Sequence, residues 1–448
     1  MAREHNKLPD RAPAAKKNAP PKSSKSQKNK SKKPSNKELK KEEDDLSASE
    51  APEAKAKASK ISPAELKQQQ ALLNIFSDTF ADVLGLDNFT SVLQEVKSAL
   101  YNRDFEKAFG NEQYLEVYAA RWSPTRALCY AKVLEGIREQ LEDLVVDGDR
   151  LRRLRAKGDD VDATTTATTK EASRRPLRML SIGGGAAEIV ALAALLRHDS
   201  GDNRGDAPES SSDSSEKTLH GHLHLVDTGP WDSVVSKLQQ SLTTPPRLSM
   251  HASPAAHKAN RALVEPAARL SCNFAQQDAL GMTAEQLAEA VVGGKAEKPG
   301  PVLVTLLFTL NELYTGGGIA RTTAFLRNLT ACVPEGSLLL VVDSPGSYSE
   351  AAVGKGDDAQ KKKYPMQWLM DHTLLTVDKK QQPSSSSTPA RRCRWERLES
   401  HDSIWFRMVP ELRYPFQLEN MRYQMHLYKA VASTTTSQEE GNDTTAIG

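Results

Sequence analysis

The chain has 448 residues, with 60 Lys and Arg against 58 Asp and Glu and a formal net charge of +2. Its hydrophobic fraction of 38% is below that of a wholly globular chain, so part of it is expected to remain unfolded while the rest buries a substantial core. No run approaches the roughly 20 apolar residues of a membrane span, and the first residues lack the apolar stretch of a secretory signal. Cys129, Cys272, Cys332 and Cys393 form no CxxC pair, which argues against a zinc finger or a disulfide framework and for a reduced intracellular compartment.

Residues 1–62 are rich in Lys, Pro, Ser and Ala and cannot offset their ordering entropy by burial, so a disordered basic tail is expected. Residues 1–41 alone carry a net charge of +11, leaving −9 for the other 407. The clusters Lys28 to Lys33 and Lys37 to Lys41 read as a nuclear or nucleolar address, as an RNA-binding arm, or as a solubilising tail. Because the body is acidic, attraction to a nucleic acid must come from that tail or from a local patch. Ser62 and Pro63 open a helix whose apolar residues recur at helical spacing, among them Leu66, Leu72, Leu73, Phe76, Phe80 and Val83. A second helical stretch is expected over Phe89 to Phe109, and a third from Glu112 to about Val146 with an interruption at Ser123-Pro124. Residues 63–155 thus read as an all-helical region, and 156–175, rich in Thr, Asp and Lys, as a linker.

From 176 to 431 the pattern changes to strands alternating with helices. Strands are expected at Leu177 to Ile182, His222 to Val226, Leu270 to Phe274, Val302 to Phe308 and Ser337 to Val342, with two more at Trp395 to Phe406 and Met421 to Ala430. Helices fall at Ala186 to Leu196, Trp231 to Leu242, Ala284 to Val292 and Thr322 to Ala331, and low-complexity insertions at 199–217 and 243–262. This is an α/β pattern with a seven-stranded, mostly parallel, doubly wound sheet. Residues 432–448 form a polar tail, expected to be disordered. In such sheets ligands bind beyond the carboxyl ends of the strands.

Ser181, Ile182, then Gly183-Gly184-Gly185 and Glu188 follow the first strand and open a helix. Glycines there let a ligand approach the backbone, and the helix N-terminus faces it. A dinucleotide or S-adenosylmethionine uses such a place. The dinucleotide fingerprint requires a third glycine where Glu188 stands, and a carboxylate there repels phosphate but suits a sulfonium and an amino group. Asp227 ends the second strand, 42 residues beyond Gly185, or 23 without the insertion, close to the roughly 20 expected for a carboxylate that accepts ribose hydroxyls. Asp278 beyond the third strand is placed to accept an adenine amino group, though each aspartate alone also reads as a turn or cap. Phe308 to Tyr314 follows the fourth strand. Asn311 offers a donor and acceptors to a base edge, Glu312 can take a proton if burial raises its pKa, and Tyr314 can stack on a flipped base. The same residues also read as an ordinary helix start. His220, His222 and His224 alternate along a strand but have no further ligand spaced for a metal, and none is expected. Asp343-Ser344-Pro345-Gly346 reads as a turn or a substrate contact.

The runs LSIGGGAAEIVALAALL, LHLVDTGPW, LLFTLNELYT and LLLVVDSPGSYSE resemble the fungal class I methyltransferases that modify N3 of a uridine in 25S rRNA, as does YAARWSPTRAL at Tyr118 to Leu128. The resemblance covers about residues 65–430. It implies a Rossmann-like class I fold, S-adenosylmethionine as cofactor at Gly183, Gly185, Asp227 and Asp278, with Ser181, Gly184 and Glu188 of the same loop as further expected contacts, and a target pocket near Asn311, Glu312 and Tyr314. One departure is that Ser181 stands where the wider class usually places an acid. The resemblance further implies large-subunit rRNA or a pre-ribosome as partner; a nuclear or nucleolar and also cytoplasmic location, no membrane and a monomer are expected. Arg121, Trp122 and Arg126 can grip RNA, or pack a helix on the core. Two alternatives stay open: methylation of a protein or small molecule, and a non-catalytic assembly factor of the same fold.

Overall fold

The computed structural model describes residues 61–146, 174–199, 218–293, 300–346, 348–353, 360–376 and 393–432. The tail 1–62, the linker 156–175, the insertion 199–217 and the tail 432–448 lie outside these residues except at their ends.

The N-terminal helices begin and end where local chemistry dictates. Helix α1 (Pro63–Thr79) starts with a proline in its first turn, where no amide is needed, and Ser62 caps it by accepting from the Glu65 amide at 3.1 Å. The stretch expected as one helix from Phe89 is two, α2 (Phe89–Tyr101) and α3 (Phe105–Phe109). Arg103 between them has φ +57°, and Asp104 starts the new helix by accepting from the Lys107 amide. The third stretch is three helices, α4 (Glu112–Arg121), α5 (Ser123–Gly136) and α6 (Arg138–Val145). Asn111 caps α4, and Pro124 opens α5 where it lacks only an orphan amide.

The sheet contains β1 (Leu177–Ile182), β2 (Gly221–Asp227), β3 (Leu270–Gln276), β4 (Leu303–Leu307), β5 (Leu338–Asp343), β8 (Cys393–Phe406) and β9 (Met421–Ala432) in the order β3-β2-β1-β4-β5-β9-β8. The first five strands are parallel; β9 is antiparallel to β5, and β8 to β9. Strands β4 and β5 are buried throughout, as strands covered on both faces must be. The crossover helices are α7 (Ala186–Asp199), α8 (Asp232–Thr243), α9 (Ala284–Val292) and α10 (Gly318–Cys332). After β5 come a hairpin, β6 (Tyr348–Val353) with β7 (Gln360–Pro365), and a helix, α11 (Met366–Leu375). Neither was expected from sequence.

The helices before the sheet do not stand apart from it. Phe76, Leu134, Ile189, Leu192, Leu225 and Leu340 belong to one continuous core on one face of the sheet, so α1 and α5 share that core with α7 and the strands. A second core on the other face joins Leu180, Leu306, Val341 and Tyr428 to α9, α10 and α11. No described helix is long and apolar enough to cross a membrane, and among the described residues no three His, Cys, Asp or Glu are grouped to hold a metal.

Candidate active site

A cavity opens at the carboxyl ends of β1, β2, β3 and β4, and α3, α4 and α5 form its far wall. Its floor is the glycine turn. Gly183 has φ +71°, and a Cβ there would stand 2.4 Å from the Thr309 side chain. A Cβ on Gly185 would stand 2.8 Å from the Trp231 ring, and one on Gly184 2.5 Å from the Ser181 Oγ. Side chains at this turn would therefore force the loop and its neighbours apart. The turn is also tied down from within. The Gly183 amide donates to the Val226 carbonyl at 2.8 Å, and the Gly185 amide to the Glu188 carboxylate at 2.7 Å. These two amides are thus not free to face a ligand, contrary to the simple expectation for a glycine loop.

Four carboxylates line the cavity: Glu188, Asp227, Asp278 and Glu312. Burial raises Glu188 to about 7, with the Gly185 amide and Arg126 working against the rise. Burial also raises Asp227 to about 6, opposed by hydrogen bonds from the Gly229 amide, at 2.7 Å, and from the Trp231 side chain. Glu312 lines the cavity and is exposed to solvent over part of its surface. Burial brings it to about 7, Asp343 and Asp227 reinforce the rise, and Arg126 and Arg103 oppose it. Asp278 lies at the outer edge, where it caps the turn Ala279–Gly281 through the Leu280 amide and pairs with Arg321 at 3.0 Å.

The remaining expected residues are placed elsewhere. Ser181 and Gly184 pack beneath the loop and do not line the cavity. The Asn311 amide donates to Asp343 at 2.9 Å, and its side-chain oxygen is buried without a hydrogen-bond partner. Asp343 therefore fixes the turn that carries Glu312. Tyr314 is 2% exposed and packs in the second core, so it presents no stacking face to the cavity. Phe308, with φ +58°, does line it.

Sequence reasoning missed the far wall. Phe109, Tyr118, Ser123, Arg126 and Tyr130 line the cavity from the helices. Arg126 is the one cation among the described lining residues. Its guanidinium lies 5.5 Å from the Tyr118 ring and 5.4 Å from the Phe308 ring, and it donates to the Tyr118 hydroxyl. Burial opposes its charge, but Tyr118, Tyr130, Glu312 and Glu188 hold the pKa above the usual value. The signal was available: Ser123, Arg126 and Tyr130 recur at helical spacing on a face that is otherwise apolar. Arg121 and Trp122 are turned away, with Arg121 paired to Glu419 and lying over the Phe416 ring.

The chemistry of this set suits S-adenosylmethionine. The lining carboxylates would suit its ammonium and sulfonium and Arg126 its carboxylate, Asp227 sits at the end of β2, and Val226, Ile182 and Leu307 offer apolar surface. A sheet of this order with a reversed final strand pair, a glycine turn after β1 and an acid ending β2 defines the class I methyltransferase fold. Residues 76–429 match the family of SAM-dependent methyltransferases, and the chain belongs to it. Its cofactor is S-adenosylmethionine. A relative in Saccharomyces cerevisiae, the 25S rRNA (uridine(2843)-N(3))-methyltransferase, is 31% identical over 369 residues, covering 80% of this chain and 85% of that one. Among solved structures, a SAM-dependent methyltransferase from Methanosarcina mazei is 8% identical over 58% of this chain and 94% of that one, with a TM-score of 0.27. An O-methyltransferase family protein from Burkholderia thailandensis is 11% identical over 77% of this chain and 72% of that one, with a TM-score of 0.29.

Proposed function

We propose that this enzyme methylates N3 of a uridine in 25S large-subunit rRNA during ribosome biogenesis, acting in the nucleus or nucleolus. The observation that carries this reading is the 31% identity, over most of both chains, to the yeast enzyme named for that reaction. The cavity chemistry is compatible with it.

Uracil N3 bears a proton and is a poor nucleophile while it does. When bound, S-adenosylmethionine supplies an electrophilic methyl carbon on a sulfonium. Glu312 is the general base: with a pKa near 7 and a place in the cavity lining, it takes the N3 proton as the nitrogen lone pair forms the new bond. Methyl transfer from the bound cofactor would leave 3-methyluridine, a neutral thioether and a protonated Glu312. Asn311 does not line the cavity; its backbone amide ties the turn that carries Glu312 to Asp343. Glu188, Asp227 and Arg126, which line the cavity, would hold the cofactor's charged and ribose groups, and Asp278 its adenine edge. N3 lies on the pairing edge, so a paired uridine must first be freed from its partner.

The test uses purified full-length protein, S-adenosylmethionine and large-subunit rRNA lacking the modification. Nucleoside digestion should yield 3-methyluridine in step with S-adenosylhomocysteine. A different methylated nucleoside, or cofactor binding without any methylated RNA, contradicts the substrate assignment.

A further inference from the structure

Resting on the rRNA reading above, we infer that Trp405, flanked by Arg407 and Arg422, is a stacking platform for a single-stranded RNA base that flanks the target nucleotide along the strand. Strand β8 is the outer edge of the sheet, and Trp405 pairs directly with Arg422 of β9. In turn β9 sets Gln424 opposite Asp343, the last residue of β5. Trp405 and Arg422 therefore reach past the end of β5, on the same rim of the sheet as the cavity. Side chains alternate along a strand, so Arg422 shares a face with Gln424, and Trp405, its cross-strand partner, lies on that face too.

Trp405 is 51% exposed, although a tryptophan gains more from burial than almost any other side chain. The Arg407 guanidinium lies 5.1 Å from its ring and that of Arg422 5.6 Å. Neither arginine has an acidic partner among the described residues; Arg422 donates one hydrogen bond, to Ser403 at 2.8 Å. Along the strand the nearest acid, Asp402, falls in the bulge between His401 and Ile404. A half-exposed indole with two guanidinium groups that lack acidic partners among the described residues offers surface for a base and charge for the adjoining phosphates, which is how single-stranded nucleic acid is held. The body carries net negative charge outside residues 1–41, so RNA contact there calls for a local cationic patch of this kind. Three strand spacings, about 14 Å, separate β4 from β8. The base on Trp405 is therefore not the uridine at Glu312 but another base further along the same RNA strand.

The test measures binding of the full-length protein to a fluorescent twelve-residue oligouridine by anisotropy. Trp405→Ala should weaken binding about tenfold or more, and Trp405→Phe should stay within about threefold of wild type. The double change Arg407→Gln with Arg422→Gln should lower the slope of log affinity against log salt by about 1.4. Affinity for S-adenosylhomocysteine by calorimetry should be unchanged in all of them. Unchanged oligouridine affinity in Trp405→Ala overturns the platform, as does a loss confined to an acidic peptide such as polyglutamate. The two readings fail separately: tight, Trp405-dependent oligouridine binding with no 3-methyluridine formed sinks the substrate assignment alone, and normal methylation with an indifferent Trp405 sinks the platform alone.

Discussion

Glu312 and Glu188 have similar raised pKa values but opposite consequences. At Glu312 the carboxylate must be ionised to accept a proton, so kcat/KM should rise with pH through about 7 and level off above it. Glu312→Gln should lower kcat by about 100- to 10,000-fold, abolish that rise and leave cofactor affinity within a few-fold, all measurable by steady-state rates and calorimetry. A variant retaining both rate and pH profile would remove Glu312 from the chemistry. Glu188 acts on stability. Its native pKa of about 7 lies above the usual carboxylate value, so the folded chain keeps a proton that the unfolded chain releases, and stability falls as pH rises across that window. In cofactor-free protein, Glu188→Gln should melt like wild type near pH 4.5 and gain up to about 3 kcal/mol by pH 7.5. A constant difference across the window would contradict the assignment. The glycine turn and Asp227 were legible because strand, turn and acid come at diagnostic spacing. Arg126 was grouped with Arg121 and Trp122, since sequence adjacency hides that of these three only Arg126 reaches the cavity. Tyr314 could not be placed from sequence: one residue's rotation about the turn separates a cavity face from the second core.

At the scale of elements, the helical wall and the sheet stand or fall together. Leu134 on α5 is buried in the core that also holds β1 and β2 residues, so Leu134→Ala should cost about 2–5 kcal/mol in chemical denaturation. A fragment starting at residue 174 should fail to fold, because it exposes the face that α1 and α5 cover; a soluble fragment with a sharp melting transition would show that the helices are dispensable. Gly185→Ala tests the turn. The new methyl would stand 2.8 Å from the Trp231 ring, and cofactor affinity should drop about tenfold or more by calorimetry. Helix interiors and central strands were read correctly because their apolar periodicity is strong. The break at Arg103 was missed, since an arginine with positive φ carries no glycine signal. The β6–β7 hairpin was missed because its polar segments, YSEAAV and QKKKYP, lack the period-2 apolar pattern that marks a half-buried strand.

For the whole molecule, the alternation of strands and helices was enough to give the doubly wound sheet, and the cavity lies where such a sheet places ligands. The walls of that cavity were less legible, because one comes from helices more than fifty residues earlier in the chain. Deleting residues 1–41 removes a net charge of +11 and should impair nuclear accumulation or weaken RNA affinity, readable by imaging and anisotropy. Normal behaviour in both would leave the segment a solubiliser. The central claim is that this chain makes 3-methyluridine in large-subunit rRNA. It is tested most directly by mass spectrometry of nucleosides from that RNA, in the source organism with and without the gene. Loss of 3-methyluridine in the deletion, restored by wild type but not by Gly185→Arg, is the expected result; an unchanged nucleoside profile would overturn the substrate assignment.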